Sequence, residues 1–364
     1  MRVAVINCSA PAYNLGAKKL ADWRRLEGDV VTEFAGDPGL FACGFDLVAL
    51  SGVFSWHVPV AEAIALRVKD HATVWAGGPG FTGLVKRFRD TTGIMPVVKV
   101  DKRFDQIRND YKFCFASRGC PSRCSFCVVW RIEGTSFTLD WNFRPAPVLC
   151  DNNLSALPIE FQEHIIATYQ SAGMRLKDAN SGFEPKYFDE ATFMRWEPLL
   201  GLSDAPYRFA LDESREINDG VRMMRILRSL RPKRKRVWIL VGAEPISACY
   251  ERARRVLEND CDPYCQFIRP TNAVDKNILV PGQNYHDWPS IELGLDFCRY
   301  YNGRVWRKAP IWEYEPRNKG RKPFAFLEPA ALSFRLVSDR EAAMRRDKRA
   351  EYEAPHLDHS LGGH

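Results

Sequence analysis

The sequence predicts an α/β protein built on parallel sheets, from its composition and from two series of short apolar runs. Its 364 residues are 46% hydrophobic and 27% charged, which is typical of a globular protein and excludes a disordered or collagenous chain. Apolar runs alternate with helical patterns over residues 1–105, and again with different loops over residues 106–282. This length accommodates two domains and a C-terminal extension over residues 283–364.

The first series predicts a small parallel sheet that is covered by helices. Buried strands are expected at Arg2–Cys8, at Asp46–Ser51 and in the run ATVWAGG, which ends at Gly77 and Gly78. Helices are expected at Leu15–Leu26 and Val60–Val68, where apolar residues recur with helical spacing. This alternation indicates a Rossmann-like domain, in which the loops at the carboxyl ends of the strands share one edge where a ligand can bind.

The second series predicts six strand and helix units, which favours a partial (β/α)6 barrel of the TIM type. Its expected strands are Tyr111–Ala116, Pro147–Cys150, Met174–Lys177, Tyr207–Leu211, Val237–Val241 and Tyr264–Ile268. Its expected helices lie near residues 159–172, 189–199, 217–230 and 246–258. In such a barrel the catalytic residues lie on the loops that follow the strands.

Charge, hydropathy and cysteine content narrow the class of protein. The chain carries 52 basic and 45 acidic residues, and its net charge of +7 is weaker than a general nucleic-acid-binding protein usually shows. No apolar run is long enough to span a bilayer and the start lacks a signal-peptide pattern, so we expect a cytoplasmic protein without a membrane partner. The odd number of cysteines, 11, favours thiol or metal chemistry over a disulfide framework.

The most informative segment is FCFASRGCPSRCSFCVVW, which directly follows the first strand of the second series. It places Cys120, Cys124 and Cys127 in a C-x3-C-x2-C pattern, with Phe126 just before the last cysteine. Three thiolates on one short loop suit an iron–sulfur cluster, and the lack of a fourth thiolate leaves one iron open for chemistry. A zinc site or three buried thiols are the alternatives, but zinc needs a fourth ligand and His164 lies in an expected helix.

This loop closely resembles the signature of the radical S-adenosylmethionine (SAM) superfamily, and the resemblance extends over the strand and helix units to about residue 270. It implies that the three cysteines hold a [4Fe-4S] cluster whose open iron chelates the amino and carboxylate groups of SAM. It also implies that one electron, from a flavodoxin- or ferredoxin-like donor, cleaves SAM to methionine and a 5′-deoxyadenosyl radical. That radical abstracts a hydrogen from a substrate that the sequence does not identify. By the same resemblance, Phe126 packs beside the cluster and the adenine.

Three loops after later strands offer groups that SAM binding requires. The candidate residues are Asp151, Asn152 and Asn153 after the second strand, Asp212, Ser214 and Arg215 after the fourth, and Gly242 and Glu244 after the fifth. The first group departs from the Gly-Gly-Glu stretch that the superfamily often has, although its oxygens can accept from an amino group, and a plain turn is the alternative. The second group suits the ribose and carboxylate, or else the N-cap of a helix. In the third group, Gly242 lets the backbone approach the adenine.

The N-terminal domain resembles the cobalamin-binding subclass of the superfamily, and Gly77 and Gly78 resemble its nucleotide-loop glycines. No histidine follows the first strand to bind cobalt, since His57 lies on another loop. We therefore favour hydrogen abstraction without cobalamin. A methyltransferase that holds cobalamin without a histidine is the alternative.

Two further features leave alternatives open. Cys261 and Cys265, with Cys249 or Cys298, could hold an auxiliary cluster, although buried packing is the simpler explanation. Residues 222–236 contain eight basic residues and no acidic one, which suits a solvated surface or a polyanion such as RNA. A non-catalytic module that binds zinc or nucleic acid is accordingly the alternative from a different functional class.

Overall fold

The chain begins with a four-stranded parallel sheet. In the computed structural model, which describes residues 1–100, 104, 107, 109–180, 182–316 and 320–328, its strands lie in the order β2-β1-β3-β4. They are β1 (Arg2–Asn7), β2 (Val30–Ala35), β3 (Leu47–Ser51) and β4 (Thr73–Gly77). Strands β1, β3 and β4 confirm the three strands that the sequence predicts here. The sequence does not reveal β2, because this edge strand interrupts its apolar residues with Thr32 and Glu33.

Helices cover both faces of this first sheet. They are α1 (Leu15–Leu26), α2 (Val58–Val68) and α3 (Val85–Thr92). Alternate residues of β1 enter two separate cores: Val3 and Val5 pack with Ala17 and Ala21 of α1, whereas Ile6 belongs to the core that contains α2 and α3. A strand buried on both faces needs a continuous apolar run, which is why β1 was recognisable from the sequence.

Six further parallel strands follow in two three-stranded sheets. The first sheet has the order β5-β8-β9, and its strands are β5 (Phe113–Cys114), β8 (Val148–Leu149) and β9 (Asp178–Ala179). The second has the order β10-β11-β12, and its strands are β10 (Tyr207–Ala210), β11 (Lys235–Val241) and β12 (Asp262–Phe267). An isolated parallel bridge joins Phe183, shortly after β9, to Phe209 in β10. Over the described residues these strands follow one another in chain order without forming a closed barrel.

In the described part of the chain, six helices lie between and after these strands, and four of them, α5 to α8, confirm the helices that the sequence predicts. They are α4 (Val129–Ile132), α5 (Ile159–Ser171), α6 (Glu190–Leu200), α7 (Ile217–Ile226), α8 (Ile246–Glu258) and α9 (Ile291–Asn302). Five expected strands overlap observed ones, but the strand expected at Met174–Lys177 is wrong. After α5 the chain turns at Gly173, whose φ is +60°, and pairing with β8 begins only at Asp178.

The β10-β11-β12 sheet has two unlike faces. Along β11, the side chains of Val237, Ile239 and Val241 are buried, and the residues between them are partly exposed. The same alternation holds for β12, where Cys265 and Phe267 are buried. Helices α8 and α9 pack against these strands. One face is therefore apolar and covered, and the other is more open and carries both polar and aromatic side chains.

The chain divides into two compact units, Met1–Gly303 and Arg304–His364. Helix α9, within the predicted C-terminal extension, thus belongs to the first unit and packs on β12. In the second unit, short 3-10 helices lie at Val305–Arg307, Ile311–Glu313 and Ala325–Leu327, and residues 329–364 fall outside the described part. The division near residue 105 stays a prediction. Among the described residues, no helix has the length and apolarity to cross a membrane.

Gly294 of α9 gives a test of the packing between this helix and β12. A Cβ at this position would meet the ring of Phe267, so we expect Gly294→Ala to lower the free energy of unfolding by about 1–3 kcal/mol through overpacking. A Cβ at Gly44 would meet no atom within 4 Å, so Gly44→Ala is the control. It should change the free energy of unfolding by less than about 0.5 kcal/mol. Urea unfolding measures both, and equal stabilities of the two variants would contradict this packing.

Candidate functional site

The three cysteines of the C-x3-C-x2-C pattern lie on one loop that a two-stranded ribbon closes. Strand β6 (Ser117–Arg118) pairs antiparallel with β7 (Thr138–Leu139), so residues 119–137 form the loop, called the cysteine loop below. The Cys120 N–H donates to the carbonyl of Gly134 at 3.2 Å, and the Cys127 N–H donates to the carbonyl of Cys124 at 3.1 Å. These bonds hold the three cysteines on a compact turn.

Gly119, at the base of the cysteine loop, has a conformation that only glycine adopts easily. Its φ is +91°, and a Cβ there would meet the carbonyl oxygen of Ser136 on the opposite side of the loop. The glycine before the first cysteine therefore lets the two sides of the loop approach each other.

Glu133 ties the cysteine loop together from within. Its Oε2 accepts from the backbone N–H of Gly119 at 2.9 Å and from Nδ2 of Asn152 at 2.7 Å, and its Oε1 accepts from Arg118 at 3.2 Å. Nδ2 of Asn152 also lies within hydrogen-bond distance, 3.2 Å, of the Gly119 carbonyl. Asn152 thus braces the cysteine loop. Sequence reasoning missed Glu133, because nothing local marks a carboxylate that folds back onto a residue 14 positions earlier.

Asp151 and Asn153 are likewise engaged with the protein itself. Asp151 is fully buried and accepts from the Ala116 N–H at 2.7 Å and from the Ser117 hydroxyl at 2.5 Å. Burial raises the pKa of Asp151 to about 6. Asn153 accepts from the Ala156 N–H at 3.2 Å, as the cap of a short helix does. The predicted turn after β8 is therefore present, and its polar side chains fix the strand that leads to the cysteines.

The thiols of the cysteine loop lie close enough to influence one another. Burial raises the pKa of Cys124 to about 12, and the neighbouring Cys127 adds to that shift. Burial also raises the pKa of Cys127, to which Cys120 contributes. Because the thiolate is the metal ligand, these groups bind a metal only if its positive charge offsets the burial. The donor set is soft and therefore suits iron–sulfur chemistry.

The arrangement of the thiols differs from a site for one ion. Across the described residues, no group of three or more His, Cys, Asp or Glu side chains is arranged to hold a single metal ion. In a [4Fe-4S] cube each thiolate binds a different iron, so the thiols stand farther apart than the ligands of one ion.

Carboxylates surround the thiols. Asp212, Glu184 and Glu216 each add to the raised pKa of Cys124, which indicates that all three lie near it. Oε2 of Glu184 accepts from the hydroxyl of Ser122 in the cysteine loop at 2.9 Å and from Nδ2 of Asn153 at 2.5 Å. Burial raises the pKa of Asp212 to about 7, and the charge of Glu216 adds to it. This concentration of negative charge favours a positively charged ligand.

Ser214 and Glu244 bind each other across the loops that follow β10 and β11. The Ser214 hydroxyl donates to Glu244 at 2.8 Å, and Arg252 pairs with the same carboxylate at 3.1 Å. The fully buried Arg252 also donates to the carbonyls of Leu211 at 2.7 Å and Asp212 at 2.6 Å. Arg252 was not predicted, because it reaches these loops from the middle of α8.

Three other predicted SAM contacts have different surroundings. The side chain of Arg215 is 77% exposed and pairs with Glu213, which forms a capping box with Glu216. The predicted helix N-cap is therefore confirmed. Gly242 has a φ of +92°, and a Cβ there would meet the ring of Phe267, so glycine allows the loop to close against β12. Phe126 is half-buried within the cysteine loop.

Of the four cysteines considered for an auxiliary cluster, the structure brings three together. Burial raises the pKa of Cys298 to about 12, with a contribution from Cys249. Burial also raises the pKa of Cys265, and Cys298 and Cys249 both add to that shift. Burial raises the pKa of Cys261 to about 12, and the charges of Lys235 and Asp260, rather than the other three thiols, modify that shift. All four are buried, which agrees with the simpler explanation of packing.

At the carboxyl edge of the first sheet, the loops bind one another. Nδ2 of Asn14 lies 3.0 Å from the Ser51 hydroxyl and 3.2 Å from Oδ1 of Asn7, which joins the loops after β1 and β3. A Cβ at Gly78 would meet the carbonyl oxygen of Gly52, so the loop after β4 is close as well. His57 follows β3, as the sequence indicates. That no cobalamin binds here through a histidine stays a prediction.

Acidic residues offset much of the basic segment at residues 222–236. Arg231 and Lys233 both pair with Asp204, and Arg234 pairs with Glu197 at 2.8 Å. For these three residues the pairing favours a solvated surface over a polyanion site, because a paired cation contributes less to phosphate binding.

No protein-family model matches the chain, and no curated protein shows significant similarity to it.

Ser117 gives a test of the bonds that fix the cysteine loop. The pKa of Asp151 lies above its ordinary value of 3.8, so its ionisation destabilises the fold as the pH rises through about 4 to 6, and the Ser117 hydroxyl limits that loss. We expect Ser117→Ala to cost about 1.5–3 kcal/mol at pH 8, where Asp151 is ionised, and clearly less at pH 5. Urea unfolding at both pH values measures this. Equal losses would contradict it, and exposed Ser229→Ala is the control.

Proposed function

We propose that the protein is a radical SAM enzyme in which Cys120, Cys124 and Cys127 hold a [4Fe-4S] cluster. The observation that carries this proposal is the cysteine loop, in which Cys127 lies near both Cys124 and Cys120 on a turn fixed by Glu133 and Gly119. With three protein ligands, one iron stays open for SAM. Bound together, the cluster and SAM supply one-electron chemistry that removes a hydrogen atom from a substrate.

The charges around the cysteine loop support SAM as the ligand. SAM carries a sulfonium and an ammonium group, and the carboxylates of Glu184 and Asp212 lie near Cys124. We assign Glu184 to the ammonium group, because its Oε2 already accepts two hydrogen bonds that orient it. At residues 151–153, where the superfamily often has its acceptor, the side chains already bind Ser117, Glu133 and the Ala156 N–H, so we favour Glu184 as the acceptor.

The order of the strands supports the proposed fold. The parallel strands β5, β8, β9, β10, β11 and β12 are neighbours in chain order, with the bridge from Phe183 to Phe209 between the two sheets. We interpret them as a partial (β/α)6 barrel, and the four-stranded parallel sheet before it as a Rossmann-like domain. The candidate residues after β8, β10 and β11 then share one end of the barrel.

The proposal includes a partner and a location. An electron donor of the flavodoxin or ferredoxin type has to reduce the cluster. A cluster held by thiolates and eight further free cysteines suit the reducing cytoplasm, where thiols persist. Cobalamin is not part of the proposed reaction, because no histidine follows β1.

Metal analysis of protein purified without oxygen tests the cluster. We expect about four irons and four sulfides per chain, and their loss in Cys124→Ala, because two thiolates do not retain the cube. Cys43→Ala is the matched control, since Cys43 is a free thiol outside the cysteine loop, and it should keep the iron. Stoichiometric zinc without iron would contradict the proposal and favour the non-catalytic alternative.

Product analysis tests the role of Glu184. Reduced protein with its cluster should slowly form 5′-deoxyadenosine and methionine from SAM without substrate. We expect Glu184→Gln to raise the KM for SAM roughly tenfold or more with unchanged iron content, because the ammonium group loses a charged partner. Exposed Glu160→Gln is the control. An unchanged KM would contradict the assignment of Glu184, and no product from cluster-loaded wild-type protein would contradict the proposed function.

A further inference from the structure

The open face of the β10-β11-β12 sheet carries two rows of side chains that cross the sheet. In the parallel register Arg208 lies beside Arg236, and Trp238 lies beside Tyr264. Their residues alternate with those buried on the opposite face, and Tyr264 is 36% exposed. This face therefore combines cationic and aromatic groups at adjacent levels.

Only one of the two arginines is neutralised by a carboxylate. Arg208 forms a bidentate pair with Asp178, with distances of 2.6 and 2.5 Å. The Arg236 guanidinium instead lies over the ring of Tyr264, 5.8 Å from its centroid, and within the described residues no ion pair of Arg236 is found. An anion from outside the chain would give Arg236 the partner that Arg208 already has.

Trp238 presents a second unsatisfied group on the same face. Its Nε1 is buried and has no hydrogen-bond partner in the described chain, although buried indole N–H groups usually have one. The indole contacts Tyr264, with ring centroids 4.4 Å apart, and the Arg208 guanidinium lies 5.8 Å from it. A ligand oxygen beside these rings would accept from this N–H.

These groups lie nearer to the amino ends of the strands than the cysteine loop does. Glu184 accepts from the hydroxyl of Ser122 in the cysteine loop at 2.9 Å, and its neighbour Phe183 pairs with Phe209 near the end of β10, so the carboxyl ends of the strands approach that loop. From Arg236 to Leu240, near the end of β11, the strand rises about 13 Å. A ligand that starts at Arg236 therefore has to be elongated to reach the cysteines.

We propose that this open face binds the substrate, an elongated molecule that has a planar ring and a carboxylate or phosphate group. Its anion pairs with Arg236, its ring packs against Trp238 and Tyr264, and an oxygen accepts from Trp238 Nε1. The far end then lies at the cysteine loop. This assignment rests on the proposed function, which it deepens by naming the chemical class of the substrate.

Ligand-observed NMR titrations of the full-length protein with its cluster test this site. The probes are 3-phenylpropionate, phenyl phosphate and the neutral 3-phenylpropanol. We expect both anions to bind more tightly than the alcohol, and whichever anion binds more tightly identifies the natural charged group. Arg236→Gln should weaken binding of the anions roughly tenfold or more. Arg225→Gln, which makes the same charge change at an exposed position of α7, should leave it unchanged.

Trp238→Phe is the second variant, which keeps a ring and removes the N–H. It should weaken binding of the anions about fivefold, and it decides the question if Arg236→Gln does not fold. Equal binding of the alcohol and the anions, or unchanged affinity in the folded variants, would overturn the proposal. Because the titration requires no turnover, a protein that binds the anions but does not cleave SAM would retain this site and lose only the proposed function.

Discussion

The carboxylate of Glu133 is the interaction on which the rest of the candidate site depends. It joins the N–H of Gly119, the guanidinium of Arg118 and the amide of Asn152, and so connects strand β6, the cysteine loop and the loop after β8. Without it, the two sides of this loop of 19 residues (119–137) would lose the carboxylate that joins Gly119 at its start to Glu133 near its end, and the bond from the Cys120 N–H to the Gly134 carbonyl would remain. The position of all three thiols follows from this closure.

The site gathers charges that do not stabilise one another. Burial opposes ionisation of Cys124 and Cys127, and Asp212 and Glu184 add negative charge beside Cys124. The buried cation Arg252 binds backbone carbonyls and Glu244. Such an arrangement costs stability unless a ligand supplies positive charge, as iron and a sulfonium do. Perturbed groups of this kind are typical of functional sites.

The sequence predicted correctly those elements whose ends are determined by residues within a short segment. Helices α1 and α8 begin and end at the predicted residues, because their apolar spacing and flanking turns are encoded within the segment. Strand β9 was misplaced, since its position depends on pairing with β8, 30 residues away. The cysteine triplet was visible because its ligands are neighbours in sequence. Glu133 and Arg252 were not, because each acts through folded contacts with distant residues. The bond between Asn152 and Glu133 was hidden for the same reason, and the contact of Asn152 with SAM stays a prediction.

Electron paramagnetic resonance of the reduced protein, with and without SAM, tests the central claim most directly. If the three cysteines hold a cube with one open iron, the reduced protein shows the signal of a [4Fe-4S] cluster, and SAM shifts that signal by binding the open iron. An iron–sulfur signal that SAM leaves unchanged, or no such signal in protein prepared without oxygen, would contradict the account.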